Sequence, residues 1–549
     1  MLSTITKASK MPMSKTEMIA HMSTKLSNEY WMLIFEQLDT HDLFNVICTC
    51  RKFYGLALRA LYRNLLFMDF SYFQQNASFW EGREDNMIEV PRALVLCALK
   101  RGKIDPFSPP CYGRVSYDVL NRITGYPSLQ KVEICASSLS PNTFYSTILQ
   151  LPHLTRLSLV DNIFDVLSMT SPDDELILTQ LAALPLTHLT LLGNVAVGPR
   201  RHERTRYHFL HLATAKTLRV LRIDWDVESS VFLAKRTLGY DAEPFDMPGG
   251  LETVELCIKS GTSSPPAASP NINLLHTFLR QSGQHIKTMK VIGQLDVRFK
   301  VTSGVLPKLE EFGGNPWATV AFLHSSRPIK HLHVCDIDQQ TSNSALIPLL
   351  SAIAKEKPDL ETLDLFVTTW DLEIMHAIKH LFRDLRDLRI KYQRGGPSEN
   401  TVVGLASHFF DRFANLSTVH VYKIQWWPQT HTRRYKWYNR RLLMPSPPPR
   451  TRVPAAPSPE VIQNPVGLVQ PWNRECRMLK EVQFDSKNVL RRVSDGDPWA
   501  KRQVQRKCLG WDDLEIDAEY LYEQREHFEW QLLDFAETFT AADLVVLSI

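Results

Sequence analysis

The densest run of chemistry-bearing side chains is IQWWPQTHTRRYKWYNRR, which interleaves Trp426, Trp427, Tyr435, Trp437 and Tyr438 with Arg433, Arg434, Lys436, Arg440 and Arg441. Aromatic faces beside cationic groups can stack on bases while neutralising phosphates, as single-strand binders do. They can equally grip an acidic protein segment. The chain carries one: from Trp511 to the end, eleven acidic residues stand against one arginine. Docking of that segment beside Arg433 to Arg441 is the preferred expectation, and a nucleic-acid partner ranks well below it. Other chemistry is sparse. There is no P-loop, G-x-S-x-G elbow, H-E-x-x-H pair or kinase signature. The nine cysteines, at 48, 50, 97, 111, 135, 257, 335, 476 and 508, lack the C-x-x-C spacing of zinc sites and read as reduced core thiols. The expectation is a chain that performs no catalysis itself and needs no cofactor or metal.

What must position any binding residues is large. At 549 residues and 44% apolar content the chain exceeds one hydrophobic core, so several domains or a repeat array are expected. With 22% charged residues and a net charge of +4, composition does not mark the whole protein as a polyanion binder, and any electrostatic function is local. No stretch approaches the roughly 20 consecutive apolar residues that a membrane span needs. Residues 1–24 show no secretory pattern and read as a disordered lead-in. These features point to a soluble, cytoplasmic or nuclear protein.

From Leu26 to Leu65 apolar residues fall at helical intervals in three bursts, which predicts three short helices. Tyr30, Ile34, Phe35 and Leu38 share one stripe, with Ser27 placed to cap the leading amides. Asp39 and Asp42 mark a second start, after which Leu43, Val46, Ile47 and Cys50 share a face. Phe53, Leu56, Ala57, Ala60 and Leu61 make the third stripe. Forty residues form a small core that should lean on a partner or a neighbouring domain.

This segment resembles the F-box, whose pattern runs Leu-Pro-x-Glu, Ile-Phe-x-x-Leu, Asp-Leu, Cys-Arg-x-aromatic and a Leu-Tyr-Arg-like tail. Leu26, Glu29, Ile34, Phe35, Leu38, Asp42, Leu43, Cys50, Arg51, Phe53, Leu61, Tyr62 and Arg63 match it. Ser27 stands where the family usually has proline, and Phe53 where tryptophan is common. The resemblance implies docking onto the adaptor of an SCF-type cullin-RING ubiquitin ligase, and through it onto the cullin. It makes Leu26, Ile34, Phe35, Leu38, Leu43 and Val46 adaptor-contact candidates.

Beyond residue 120 a triplet recurs that resembles the L-x-x-L-x-L strand of leucine-rich repeats. It begins at Leu129, Leu154, Leu186, Leu218, Leu251, Ile286, Leu309, Ile329, Leu360, Leu385, Leu416, Leu479 and a final candidate, Leu544. Starts lie mostly 20 to 35 residues apart, the length of a strand plus a returning helix. Pro127, Pro152, Pro185, Pro307, Pro328 and Pro358 stand just ahead of six triplets, where they would stop a helix. Asn162 and Asn194 match the family's asparagine, and the Leu309 unit is degenerate because Gly314 takes the third apolar place.

The expected fold is therefore α/β: a three-helix F-box followed by an irregular leucine-rich-repeat solenoid, parallel strands on the concave side and helices on the convex side, of fungal type. Expected boundaries are 1–24 lead-in, 25–66 F-box, 67–440 solenoid, 441–472 proline-rich insertion within the solenoid, and 473–549 final repeats with an acidic cap. On the concave face Ser158, Thr190, Arg222, Glu255, Lys290, Gly313, His333, Asp364, Arg389 and His420 form a central row. Arg222, Glu255, Lys290, His333, Asp364, Arg389 and His420 are the candidates for binding an unidentified protein target. Their alternating signs also allow neighbouring strands to pair their own charges, Asp364 with Arg389 among them, and this is the preferred expectation. His333 and His420 read as ordinary surface histidines.

Overall fold

The computed structural model describes residues 26–38, 40–67, 87–97, 113–115, 117–165, 174–197, 208–226, 248–258, 272–293, 299–335, 343–424, 465–470, 472–484, 488–495 and 497–503, with a few isolated positions between them. The basic aromatic run, the acidic C-terminal segment, Asp39, the lead-in, the candidate repeat at Leu544 and most of the proline-rich insertion lie outside these residues. The chain divides into two compact units, Met1–Asp224 with Val231–Glu252, and Trp225–Ser230 with Thr253–Ile549.

The first unit opens with three helices, α1 (Asn28–Phe35), α2 (Thr40–Ile47) and α3 (Arg51–Leu61). Their core is Phe35, Leu43, Phe53 and Ala57, against which Trp31, Leu38, Val46, Ile47, Leu56, Ala60 and Leu61 pack. Trp31, Phe35 and Phe53 meet ring to ring at 4.6 to 5.8 Å, so large aromatic area compensates for few residues. Ser27 does occupy the N-cap of α1, but its hydroxyl makes no cap hydrogen bond. It engages the Glu29 carboxylate instead, which lowers that group's pKa. Cys50 belongs not to the second helix but to the third, where its Sγ accepts from the Phe53 amide at 3.5 Å. Cys48 and Cys50 are exposed, so the expectation of uniformly buried thiols fails there, while Cys97, Cys135 and Cys476 are buried.

The strands of this unit are β1 (Asn64–Phe67), β2 (Ala93–Cys97), β3 (Gly113–Arg114), β4 (Lys131–Cys135), β5 (Ser137–Leu139), β6 (Arg156–Val160), β7 (Ile163–Asp165), β8 (His188–Leu192), β9 (Val195–Val197) and β10 (Val220–Trp225). β1, β2, β4, β6, β8 and β10 pair in parallel, one neighbour to the next. After β4, β6 and β8 the backbone passes through a left-handed residue, Ala136, Asp161 and Gly193 respectively. The kinks send the chain into β5, β7 and β9 of a second parallel sheet, which β3 completes. At Gly193 the turn admits no side chain: a Cβ there would lie 1.9 Å from Asp161 Oδ1.

Asn162 and Asn194 then do what an internal asparagine can. Asn162 Nδ2 donates to the Ile134 carbonyl at 2.8 Å and its Oδ1 accepts from the Ser137 amide. Asn194 Nδ2 repeats the bond one strand on, to Leu159, and its Oδ1 accepts from the Asn162 amide. Backbone groups freed by the kinks are thereby satisfied inside the core.

The second unit contains β11 (Thr253–Ile258), β12 (Thr288–Ile292), β13 (Glu311–Gly314), β14 (His331–Cys335), β15 (Thr362–Thr369), β16 (Asp387–Arg394), β17 (Thr418–Lys423), β18 (Glu481–Gln483), β19 (Asn488–Arg491) and β20 (Ala500–Gln503). From β11 to β18 each strand pairs in parallel with the next. Helices Ile272–Ser282, Pro316–Phe322, Asn343–Glu356, Leu372–Leu381 and Glu399–His408 make returns between strands. β17 and β18 lie side by side, Thr418 opposite Glu481, although residues 424–480 separate them in the chain. β18, β19 and β20 close the ladder as antiparallel neighbours.

Every triplet within the described residues became a strand beginning two residues after its first apolar residue, and those twelve first residues, Leu129 through Leu479, are all fully buried. The degenerate unit holds as well. Gly314 is where Ala318 of the following helix and the Phe312 ring approach, each 3.1 Å from where a Cβ would sit, so the missing side chain lets the helix close on the strand. The fold is thus α/β: N-terminal helices, then a long, mostly parallel sheet with helices. No helix among the described residues is long and apolar enough to cross a membrane.

Candidate functional site

Two sets of surface positions collect the candidate residues, the helical module and the central row of the repeats. On the helical module, the six adaptor-contact candidates divide by environment. Phe35 and Leu43 are interior, at 2% and 6% exposure. Leu26, Leu38 and Val46 are half-buried, and Ile34 is open at 41%. The stripe expected to hold Tyr30 and Ile34 inside is rotated, because Trp31 and Phe35 take the inner positions. Tyr30, Leu33 and Ile34 therefore face outward at helical spacing, and Phe44 of α2 is exposed too. Leu33 and Phe44 were not singled out in the sequence; three apolar residues at i, i+3 and i+4 beside a separate inward pair were the available signal. An Arg63–Glu36 ion pair ties the end of α3 to the end of α1.

The central row of the repeats is in register. In the first unit Glu133, Ser158, Thr190 and Arg222 stand opposite one another strand by strand. Glu133 was not anticipated. It is buried beside Lys131 at 3.8 Å and accepts from the Cys135 thiol at 3.5 Å. Burial raises its pKa against the opposing influence of Lys131, the thiol and Arg222.

In the second unit Glu255, Lys290, Gly313, His333, Asp364, Arg389, His420 and Gln483 continue strand by strand. Neighbouring strands do satisfy each other's charges, but not with the partners expected. Asp364 pairs with Lys391 at 3.0 Å and His333 at 3.4 Å, and Arg389 is left out. His333 is no ordinary surface histidine: its other nitrogen lies 3.1 Å from Glu311. Burial pushes its pKa down, yet hydrogen bonds to Asp364 and Glu311 outweigh burial and hold it at about 9. Burial raises Asp364, and His333 with Lys391 overcomes that to bring it to about 2. The group is an alternating carboxylate, imidazolium, carboxylate, ammonium chain. His420 likewise has a partner, Glu481 at 2.9 Å, whose pKa this bond and Arg491 lower to about 2.

Arg389 differs from all of these. Its Nε is buried with no hydrogen-bond partner among the described residues. Along the lip of the face, Lys330, Glu361 and Arg386 make a further ladder at 2.6 and 3.3 Å. Two positions past His333, Asp364 and His420, the half-buried Cys335, Phe366 and Tyr422 add apolar surface, with Lys391 between the last two in the register. Among the described residues no group of three His, Cys, Asp or Glu side chains could hold a metal ion. The surface sets fixed charges beside apolar area.

A family model described as F-box-like matches residues 28–68. No curated protein sequence matches the chain. Among solved structures, an internalin (inlF) from Listeria monocytogenes is similar at 12% identity and TM-score 0.27, covering 61% of this chain and 75% of that one. The leucine-rich-repeat ectodomain of the Arabidopsis receptor kinase HAESA, solved with a peptide hormone ligand, is similar at 12% identity and TM-score 0.18, covering 60% and 67%. At those scores neither likeness bears on function.

Proposed function

We propose that the chain is the substrate-recognition subunit of an SCF-type cullin-RING ubiquitin ligase, its N-terminal module docking onto the adaptor and its repeats binding a protein target. The observation that carries this reading is the outward apolar set Tyr30, Leu33, Ile34 and Phe44 on a module that matches the F-box-like family. A small helical domain that leaves four large apolar side chains in water has an interface to cover. The chain contributes no chemistry in this scheme. It acts by raising the effective concentration of a bound target near the ubiquitin-transfer machinery, in the cytoplasm or nucleus.

The test is capture of a purified adaptor–cullin complex by the full chain. Ile34→Asp and Phe44→Asp, changed singly, should each abolish capture while far-UV circular dichroism stays unchanged, since both side chains are outside the core. Phe35→Asp is not a suitable probe, because it would place a charge in the module's interior. A wild-type chain that captures no adaptor refutes the ligase role and leaves an interaction scaffold whose F-box-like module is structural only.

A further inference from the structure

Arg389 sits at the centre of the open face of the second unit, opposite Asp364 on one side and His420 on the other. Carboxylates on its own strand and on strands nearby are engaged elsewhere. Asp364 Oδ2 accepts from Lys391 and contacts His333. Asp387, two residues back on the same strand, accepts from Thr362 at 3.5 Å and Ser417 at 3.3 Å. Glu481 is held by His420 and Arg491. What remains is a guanidinium whose Nε is removed from water and has no hydrogen-bond partner among the described residues. Such a donor carries a desolvation penalty until an acceptor arrives. Guanidinium geometry favours a planar, two-oxygen acceptor.

The surroundings limit what that acceptor can be. A polyphosphate backbone needs a run of unneutralised cations. Here Lys391 and His333 are already neutralised by Asp364 and Glu311, and the nearby carboxylates would repel a dianion. Arg389, whose Nε has no partner among the described residues, suits one monoanion. Past it on the same face, Phe366 and Tyr422 flank Lys391 in the register and offer half-buried aromatic surface to whatever lies beside that anion.

We propose that Arg389 is the anchor of the target site: it takes the carboxylate of an aspartate or glutamate in an acidic protein segment, with an apolar neighbour of that residue resting against Phe366 and Tyr422. The inference rests on the reading that this face receives a protein, and it is independent of adaptor docking.

The experiment uses the full-length chain and fluorescein-labelled nonapeptide pools, randomised except for a central Glu or Gln, read by fluorescence anisotropy. Wild type should bind the Glu pool at least tenfold tighter than the Gln pool. Arg389→Ala should erase that preference, and Arg389→Lys should restore only part of it, because an ammonium cannot present a two-pronged donor. Neither change removes a hydrogen bond of the Arg389 Nε among the described residues, so hydrogen exchange in β15 to β17 should match wild type. Equal binding of both pools by wild type, or a preference that survives Arg389→Ala, overturns the proposal. So does retention of oligothymidylate that Arg389→Ala abolishes, which would assign the site to nucleic acid. Glu-pool binding that emerges only after Asp512, Asp513, Glu515, Asp517 and Glu519 are neutralised would assign it to the chain's own C-terminal segment, and likewise overturns it. A chain that captures the adaptor yet shows no carboxylate preference loses this inference alone.

Discussion

Raising the pH from about 6 to about 9.5 should loosen β13 to β16 in the wild-type chain and leave a His333→Gln chain almost indifferent by that route. His333 is held at about 9 against an ordinary 6.5. A folded-state pKa above the unfolded one contributes stability that is complete below the unfolded value and is lost as the pH rises through the folded value. Full expression of this shift is about 3 kcal/mol, of which about 2 kcal/mol survives near pH 7.5 and almost none near pH 9.5. The same contact lowers Asp364 to about 2, so it is counted once; that carboxylate's share is present above about pH 4 and lost as the pH falls through 2. The network is therefore strongest between about pH 4 and 6.5. Hydrogen exchange followed by mass spectrometry on peptides spanning 311–335 and 362–369 gives the measurement, with both proteins compared at each pH so that intrinsic exchange rates cancel. The wild-type advantage in protection should approach two orders of magnitude near pH 6 and shrink to near unity at about pH 9.5. An advantage that is the same at both ends, or that grows with pH, refutes the assignment of a charged His333 between Glu311 and Asp364.

Three further outcomes follow from particular contacts. Arg327 is buried at 1% exposure without a carboxylate, its guanidinium bonded to the carbonyls of Val301, Thr302, Val305 and Phe322; Arg327→Met should lower stability by about 3 kcal/mol or more in urea titration, because four buried acceptors lose their donor. Gly193→Ala should destabilise the first unit by more than about 1 kcal/mol through the clash with Asp161 and the left-handed backbone, whereas Gly55→Ala, at an open position inside α3, should stabilise by about 0.5–1 kcal/mol; paired thermal melts decide. Phe35→Ala should cost about 3–5 kcal/mol and melt the helical module, seen as lost protection confined to residues 28–62, while Ile34→Ala stays within about 0.5 kcal/mol.

The repeat strands were legible because burial on one side leaves a fixed apolar spacing, and prolines marked where helices stop. Two early strands escaped for a physical reason. In register with Leu129, the first position of β2 falls on Pro91 and that of β1 on Tyr62, so neither shows a leading leucine. The second sheet was hidden because its strands are two or three residues long and depend on left-handed kinks at Ala136, Asp161 and Gly193, of which only the glycine carries a signal. On the helical module, spacing gave the helices but not their rotation: Tyr30 and Trp31 are adjacent and both amphipathic, and packing against Phe53 decides which turns inward. In the charged row, position along the strand predicted who stands opposite whom. It did not predict that Lys391, two residues along, would reach Asp364 and displace Arg389 from the pairing.

Arg327 is one link of a relay. It gathers carbonyls from the loop at 301–305, and Lys357 of the following repeat in turn donates to the carbonyls of Ser325 and Arg327. Interior cations thus lace three successive turns of the array across their backbones, beyond the strand ladder they share. Under a pulling force applied along the chain, repeats joined only by neighbour contacts would peel away in small, separate rips. This stretch should instead hold and then give way in a single large extension, a mechanical clamp in the middle of the second unit that keeps its open face in shape while a tethered load is drawn upon.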